Sequence, residues 1–167
     1  MENNSKTVVI IDLKSKSILV SRVFNAPLEK VWRAYTESDL LGKWWGPEPW
    51  KAETKSMSFT VGGFWLYAMV GPENQKHWSR MDYTAIKPHE SFEIKDGFCD
   101  EEGNLNIYLP VSTGSIAFST TGSGTLVEFK MFYTTVKEVD TMIEMGFEQG
   151  ITACLEQLER LFQENKI

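Results

Sequence analysis

Apolar and polar residues alternate at every second position in several segments, most clearly from Thr125 to Tyr133. One face of that segment carries Val127, Phe129, Met131 and Tyr133. Period two with one apolar side predicts an antiparallel sheet that packs on one face only. Further strands are predicted at 7–12, 17–24, 51–59, 64–70, 78–86, around 92–94 and at 115–119, separated by turns rich in glycine, proline or charge.

Two short helices are predicted between the second and third strands. After Pro27, which suits the first turn of a helix, apolar residues recur at three- and four-residue spacing at Leu28, Val31, Trp32 and Tyr35. Ser38 is predicted to cap the second helix, which carries Leu40, Leu41, Trp44 and Trp45. Gly46 and Pro47 are predicted to end it.

A long amphipathic helix is predicted over 137–164, a stretch without proline. Its apolar seam consists of Phe147, Ile151, Cys154, Leu158 and Leu161. Gly146 and Gly150 lie inside it, and each costs about 0.5–1 kcal/mol relative to alanine. They indicate either a close backbone approach or an unfilled gap beside the helix, and the alternative is a break of the helix near Gly146.

The order of elements predicts an α+β helix-grip fold. In this fold a curved antiparallel sheet wraps around a long C-terminal helix, with two short helices after the first main strand, and the space between sheet and helix is often hollow. The length of 167 residues fits a single domain, 1–167. A chain of this size buries roughly 70% of its unfolded surface, so no disulfide or metal is needed to hold it together.

Composition and charge narrow the function. The net charge is −6 and the sequence has no basic stripe, and both observations argue against nucleic acid as a partner. No run of 18 apolar residues predicts a membrane span, and the polar N-terminus lacks the pattern of a signal peptide. Cys99 and Cys154 lie far apart without metal-ligand spacing, so we expect inert thiols and a cytoplasmic location.

Five segments together resemble a known family. They are SRVFNAPLEKVWRAYTESDLLGKWWGP at 21–47, VGGFW at 61–65, DYTAIKPHESF at 82–92, GTLVEF at 124–129 and MGFEQGITACLEQLERLF at 145–162. In this order they resemble the family named after the activator of the heat-shock-protein-90 ATPase, within the START-like (SRPBCC, polyketide cyclase-like) superfamily. The resemblance implies a cavity under the C-terminal helix, which relatives use for lipids, polyketides, plant hormones or aromatic compounds.

The resemblance is incomplete in three respects. The eponymous co-chaperone also has a separate N-terminal domain that engages the chaperone, and since this sequence has no room for it, we expect no chaperone partner. Relatives often have a glutamate where Ala85 stands and an arginine where Phe64 stands. Both differences replace charge with apolar surface, so a polar role at these two positions is not carried over.

The sequence offers little for catalysis or metal binding. His77 and His89 are the only histidines and lack a ligand motif, so no metal and no cofactor are expected. No nucleophile motif is present, and no catalytic residue is assigned. Acid–base chemistry would have to use residues on the strands, with Asp82 and Glu128 expected to face solvent. These acid–base candidates are Tyr67, Arg80, Asp82, Tyr83 and Glu128.

Binding of a small hydrophobic or aromatic molecule needs only a lined hollow with a few polar groups. The predicted lining is Trp65, Tyr67, Met69, Met81, Tyr83, Phe118, Phe129, Met142, Met145 and Gln149. The predicted mouth is Trp44, Trp45 and, in the loop from Asn104 to Thr113, Ile107, Tyr108 and Leu109. The alternative is that these residues merely fill the core.

Three functions stay open at this point. The first is a soluble binding protein for a small hydrophobic or aromatic ligand. The second is a cyclase- or dehydratase-type enzyme acting on a polyketide-like or aromatic substrate. The third is a chaperone-associated interaction module. Whether the protein forms a homodimer through a sheet edge is also left open.

Overall fold

A computed structural model describes residues 6–167. One eight-stranded antiparallel sheet has the strand order β1-β2-β8-β7-β6-β5-β4-β3. The strands are β1 (Val8–Asp12), β2 (Ser17–Phe24), β3 (Lys51–Met57), β4 (Phe64–Val70), β5 (Lys76–Lys87), β6 (Ser91–Cys99), β7 (Val111–Thr121) and β8 (Gly124–Phe132). The helices are α1 (Leu28–Thr36), α2 (Ser38–Trp44), α3 (Val136–Glu144) and α4 (Phe147–Gln163). The predicted α+β helix-grip fold is confirmed.

The strand β8 shows why the sheet has one buried face. Val127, Phe129 and Met131 are 2–5% exposed, while Glu128, Lys130 and Phe132 between them face solvent. Strands with this alternation bury one face and leave the other in water, as the sequence pattern predicts. The inner face of the sheet is covered by α1 towards one end and by α3 and α4 towards the other.

The predicted C-terminal helix is broken, so the expectation of one continuous helix over 137–164 is corrected. Gly146 adopts φ +82°, a left-handed conformation that glycine accepts without steric cost, and it separates α3 from α4. The open alternative of a break near Gly146 is therefore the correct one. Gly150 stays inside α4, and its amide donates to the Gly146 carbonyl (3.0 Å).

Several predicted boundaries also shift. Pro27 is the residue before α1, and its carbonyl accepts from the Val31 amide (3.2 Å). Ser38 is the first residue of α2 and makes no capping hydrogen bond with its side chain, because Glu37 occupies the cap position. The predicted mouth loop is shorter than expected, since β7 already begins at Val111 and pairs Thr113 with Phe132.

An aromatic cluster fills the space between α1 and the sheet. Trp32 of α1 makes edge contacts with Phe59, Phe92 and Phe118, at ring-centroid distances of 5.9, 5.8 and 5.0 Å. Phe59 also meets Tyr83 at 4.7 Å. Such edge-to-face contacts are favourable in addition to the apolar area that they bury. This half of the concave face is therefore solidly packed.

Candidate ligand cavity

The other half of the concave face is hollow. A cavity of about 530 Å³ lies between the sheet and the two C-terminal helices. Cavities of roughly 300–1,000 Å³ are typical of small-molecule sites. Its lining comprises Trp45, Gly46, Pro47, Trp50, Tyr67, Met69, His77, Ser79, Asp96, Gly97, Phe98, Leu109, Pro110, Phe129, Met131, Tyr133, Met142, Met145, Gly146, Phe147, Gly150, Ile151 and Cys154.

Residues 45–47, which follow α2, form one wall of the cavity, and the segment 44–48 is tied to α4. The Gln157 side-chain amide donates to the carbonyls of Trp44 (3.2 Å) and Gly46 (2.8 Å), and its oxygen accepts from the Glu48 amide (2.8 Å). The Gly46 amide donates to the Cys154 sulfur at 3.2 Å. These bonds satisfy backbone groups that have no helical partner at the end of α2. The wall is therefore held in place by α4 and does not need side chains that fill the cavity.

The adjoining wall is built on β4, where Trp65 and Tyr67 are supported by Trp45 from the end of α2. Trp65 stacks on Tyr67 with ring centroids 3.9 Å apart, and its indole N–H donates to Thr54 Oγ1 (2.8 Å). The Trp45 indole N–H donates to the Tyr67 hydroxyl at 3.0 Å. Tyr67 is therefore fixed in place, with its ring forming part of the cavity surface.

Strand register shows where the carboxyl of Asp96 lies. Trp65, Met81 and Asp96 are paired neighbours on β4, β5 and β6, and Ser112 faces Asp96 on β7. His77 lies four residues before Met81 on β5, which corresponds to roughly 13 Å along a strand. His77 and Met145 are exposed to solvent and mark the mouth, so Asp96 stands at the inner end of the cavity.

Asp96 is half-buried and borders the cavity. The Ser112 hydroxyl donates to Asp96 Oδ1. Burial raises the pKa of Asp96 from its ordinary value of 3.8 to about 6, and the hydrogen bond from Ser112 opposes that rise. A carboxyl that titrates this close to neutral pH in a cleft is typical of binding and acid–base sites.

Two tyrosines and a cysteine of the lining are kept neutral at physiological pH. Burial raises the pKa of Tyr67 and of Tyr133 well above the ordinary tyrosine value, and the charge of Asp96 raises both further. Burial also raises the pKa of the Cys154 thiol to about 11, although the Gly46 amide opposes the shift. Asp96 is therefore the group in the cavity interior that changes charge near neutral pH.

Seven of the predicted lining and mouth residues do line the cavity. They are Tyr67, Met69, Phe129, Met142 and Met145 of the predicted lining, and Trp45 and Leu109 of the predicted mouth. Trp45 forms a wall rather than the mouth, because its side chain is fixed to Tyr67.

The remaining predicted residues lie elsewhere, for three different reasons. Trp65 stands behind Tyr67, and Met81, Tyr83 and Phe118 are packed in the core. Trp44 is 1% exposed and donates its indole N–H to the Ala34 carbonyl (3.0 Å), so it is a core residue. Gln149, Ile107 and Tyr108 are exposed and lie outside the lining, the two loop residues at 79% and 91% exposure.

The acid–base candidates of the sequence are also dispersed. Arg80 and Asp82 form an ion pair (2.7 Å) in which the guanidinium also covers the Phe64 ring, and neither lines the cavity. Glu128 faces solvent, as expected. Sequence reasoning missed Asp96, although the signal was available: Phe92, Ile94 and Asp96 follow one another at period two, which puts a carboxyl on an apolar face.

Neither a metal cluster nor a membrane-spanning helix is found among residues 6–167. Within residues 6–167, no group of three or more His, Cys, Asp or Glu side chains is arranged to hold a metal ion. In the same part of the chain, no helix is both long enough and apolar enough to cross a lipid bilayer.

Proteins of known structure with the same fold identify the class of this protein. The crystal structure of protein Ms6760 from Mycobacterium smegmatis is 30% identical, with a TM-score of 0.86 over 93% of this chain and 95% of that one. A solution structure from Arthrobacter aurescens is 29% identical, with a TM-score of 0.88 over 94% and 91%. One from Staphylococcus epidermidis is 26% identical, with a TM-score of 0.80 over 93% and 94%. All three share the helix-grip architecture.

The family model "Activator of Hsp90 ATPase homolog 1-like protein" matches residues 25–163. The chain belongs to this family, within the START-like (SRPBCC) superfamily, as the sequence resemblance indicates. A search of curated proteins finds no match.

Proposed function

We propose that the protein binds a small, largely apolar ligand with an aromatic ring in the cavity between its sheet and its C-terminal helices. The observation that carries this proposal is the cavity itself, since a void of about 530 Å³ in a chain this size greatly exceeds ordinary packing defects. Residues 44–48 and Tyr67 are held by hydrogen bonds, so the void does not depend on a ligand to keep its walls apart. We place this function in the cytoplasm, because both cysteines are free thiols.

The lining suits a ligand of variable shape. Four methionines, Met69, Met131, Met142 and Met145, meet the cavity together with several aromatic rings. Methionine side chains are flexible and polarizable, so they adapt to different apolar outlines. Aromatic walls add directional contacts to rings.

Methionine methyl groups provide the test of this binding. In protein labelled on methionine methyls, titration with the neutral bicyclic alcohol 1-naphthalenemethanol is expected to shift the NMR signals of the four lining methionines. Met57 lies outside the cavity and serves as the internal control. Equal shifts at all methionines, or none at sub-millimolar alcohol, would show that the cavity is not the binding site.

Gly150 offers a matched pair of variants for the same titration. A Cβ added at Gly150 would lie 4.0 Å from Pro47 Cγ, which is ordinary contact, so Gly150→Ala fits. Gly150→Leu is expected to occupy part of the cavity and to weaken alcohol binding at least tenfold, while Gly150→Ala retains binding. Unchanged affinity in the leucine variant would contradict the proposed location.

Asp96 favours a second candidate, an enzyme of the cyclase or dehydratase type. A carboxyl of pKa about 6 beside neutral tyrosine hydroxyls can remove a proton next to a carbonyl while a phenol stabilises the developing enolate. The test is deuterium exchange at the α-carbon of 1-tetralone, a neutral bicyclic ketone, in heavy water. Acceleration by the protein that disappears in Asp96→Asn supports catalysis, whereas bound tetralone without acceleration supports binding alone.

A further inference from the structure

The carboxyl of Asp96 is only half satisfied by the protein. Ser112 donates to Oδ1, and Oδ2 has no donor among residues 6–167. Oδ2 is accessible from the cavity. If it were fully buried, it would be a buried side-chain atom without a hydrogen-bond partner, and among the described residues only Arg22 Nε is such an atom. A carboxylate in an apolar hollow costs free energy unless it meets a donor or a counter-charge.

Residues 6–167 supply no lysine or arginine as this counter-charge. Among the described residues, none that lines the cavity is a lysine or an arginine, and Asp96 takes part in no ion pair. Arg22 lies behind Trp45 and Phe129, where its guanidinium donates to Thr7 Oγ1 (3.0 Å), and it does not line this cavity. A negatively charged ligand would therefore meet Asp96 without compensation.

The rest of the lining also favours positive charge. Trp45, Trp50, Tyr67, Tyr133 and Phe98 present aromatic rings to the cavity, and the negative faces of such rings attract cations. The net charge of −6 raises the local concentration of cations around the whole protein.

We propose that the cavity is selective for a primary ammonium group carried on an apolar aromatic body, with Asp96 as its counter-ion at the inner end. This inference rests on the proposed binding function and names its ligand class. The aromatic body extends from Asp96 towards the mouth at His77 and Met145, a span of roughly 13 Å. Carboxylic acids, fatty acids among them, are excluded as preferred ligands.

The pH dependence of this selectivity follows from Asp96. The other titratable groups that face the cavity or lie at its rim are Tyr67 on β4, His77 on β5, Tyr133 after β8, Glu138 on α3 and Cys154 on α4. Burial keeps the two tyrosines and the thiol neutral in the relevant range. Because an ammonium ion pairs with ionised Asp96 only, its affinity falls as the pH drops below about 6, approximately tenfold per pH unit.

Three compounds with one ring system test the proposal: 1-naphthylmethylamine, 1-naphthalenemethanol and 1-naphthoic acid. We expect the amine to bind at least tenfold more tightly than the alcohol at about pH 7, and the acid at least tenfold more weakly. In Asp96→Asn the amide oxygen can still accept from Ser112, but the charge is lost, so the preference for the amine should disappear. Glu93→Gln, which removes one charge on the exposed outer face of the same strand, is the matched control and should keep both the preference and its pH dependence.

The alcohol separates the two proposals. If the alcohol binds and the amine gains nothing over it, or if the acid binds most tightly, the ammonium proposal is overturned while the binding function stands. If alcohol, amine and acid all fail to shift the lining methionines, the binding function itself fails. Equal alcohol affinity in Asp96→Asn and wild type shows that the variant is folded, so loss of amine binding then reports the charge.

Discussion

Two halves of one concave sheet face differ in what covers them. Strand β6 crosses both: Phe92 belongs to the filled aromatic cluster, and Phe98 on the same face lines the hollow half. Over the filled half, α1 inserts the large side chain of Trp32. Over the hollow half, the chain presents Gly146 and Gly150, which have no side chains to insert. Both halves of the sheet carry large inward residues. The cavity therefore results from the helices that cover the sheet and not from the sheet itself.

The two halves also differ in polarity. In the filled half, the contacts are ring to ring. In the hollow half, Asp96 replaces the apolar residue that the alternation of Phe92 and Ile94 would continue. A carboxyl at that place would be costly in a packed core, so its position is consistent with open space in front of it.

The largest expected effect on stability is that of Phe92→Ala, and Phe98→Ala on the same strand is its comparison. Phe92→Ala removes a fully buried ring from the filled half and should lower the free energy of unfolding by about 3–5 kcal/mol. Phe98→Ala removes a half-buried ring that borders empty volume, so the loss should be about 1–2 kcal/mol. Urea unfolding of both variants measures the difference. Equal losses would mean that the hollow half is packed after all.

Asp96→Asn tests the polarity of the hollow half. Burial raises the pKa of Asp96 from 3.8 to about 6, so the folded state holds this proton more tightly than the unfolded chain does. The resulting stabilisation is fully present below about pH 4 and is lost as the pH rises through about 6. The shift of about two units corresponds to about 3 kcal/mol. Asp96→Asn should therefore be about 3 kcal/mol more stable than wild type at about pH 7.

The measurement for Asp96 is the free energy of unfolding across the acid range. The asparagine variant should lose the decline in stability between about pH 4 and about pH 6 that wild type shows. Glu93→Gln is the control, since Glu93 is on the same strand but exposed on the outer face. A decline of the same size in Asp96→Asn would assign it to other groups.

Gln157→Ala should loosen the cavity wall formed by residues 45–47. The change leaves the carbonyls of Trp44 and Gly46 and the Glu48 amide without their partner, at an expected cost of about 2–3 kcal/mol. Gln149→Ala on the exposed side of α4 should change stability by less than about 0.5 kcal/mol. Thermal unfolding compares the two. A neutral Gln157→Ala would show that packing alone holds the wall.

The smallest expected effect is a gain in stability from Gly150→Ala. Gly150→Ala should stabilise α4 by about 0.5–1 kcal/mol, because alanine loses less backbone entropy in a helix and its methyl has room at 4.0 Å from Pro47 Cγ. The same change at Gly146 should destabilise, because φ +82° is unfavourable for alanine. Melting temperatures of the two variants should therefore move in opposite directions.

Sequence reasoning was most reliable where a local pattern has one physical meaning. Period two in β8 gave its buried face because adjacent side chains on a strand must point to opposite sides. The continuous C-terminal helix was wrong because apolar spacing persists on both sides of Gly146, and spacing alone does not report a backbone dihedral angle. Phe118 and Met145 illustrate the limit for the cavity: both are apolar residues predicted to line it, yet one is core and the other lies at the mouth.

By itself, the sequence determined the helix-grip order of elements, the inward faces of most strands and the membership of the family. Tertiary structure alone decided which half of the concave face is empty and which inward residues meet that emptiness. Which side chains point inward is set locally, by the alternation along one strand. An empty volume depends instead on two layers, the sheet and the helices that cover it. It depends on how far α4 stands from the sheet, and this distance is set by contacts between residues more than a hundred positions apart, such as Gln157 and Gly46.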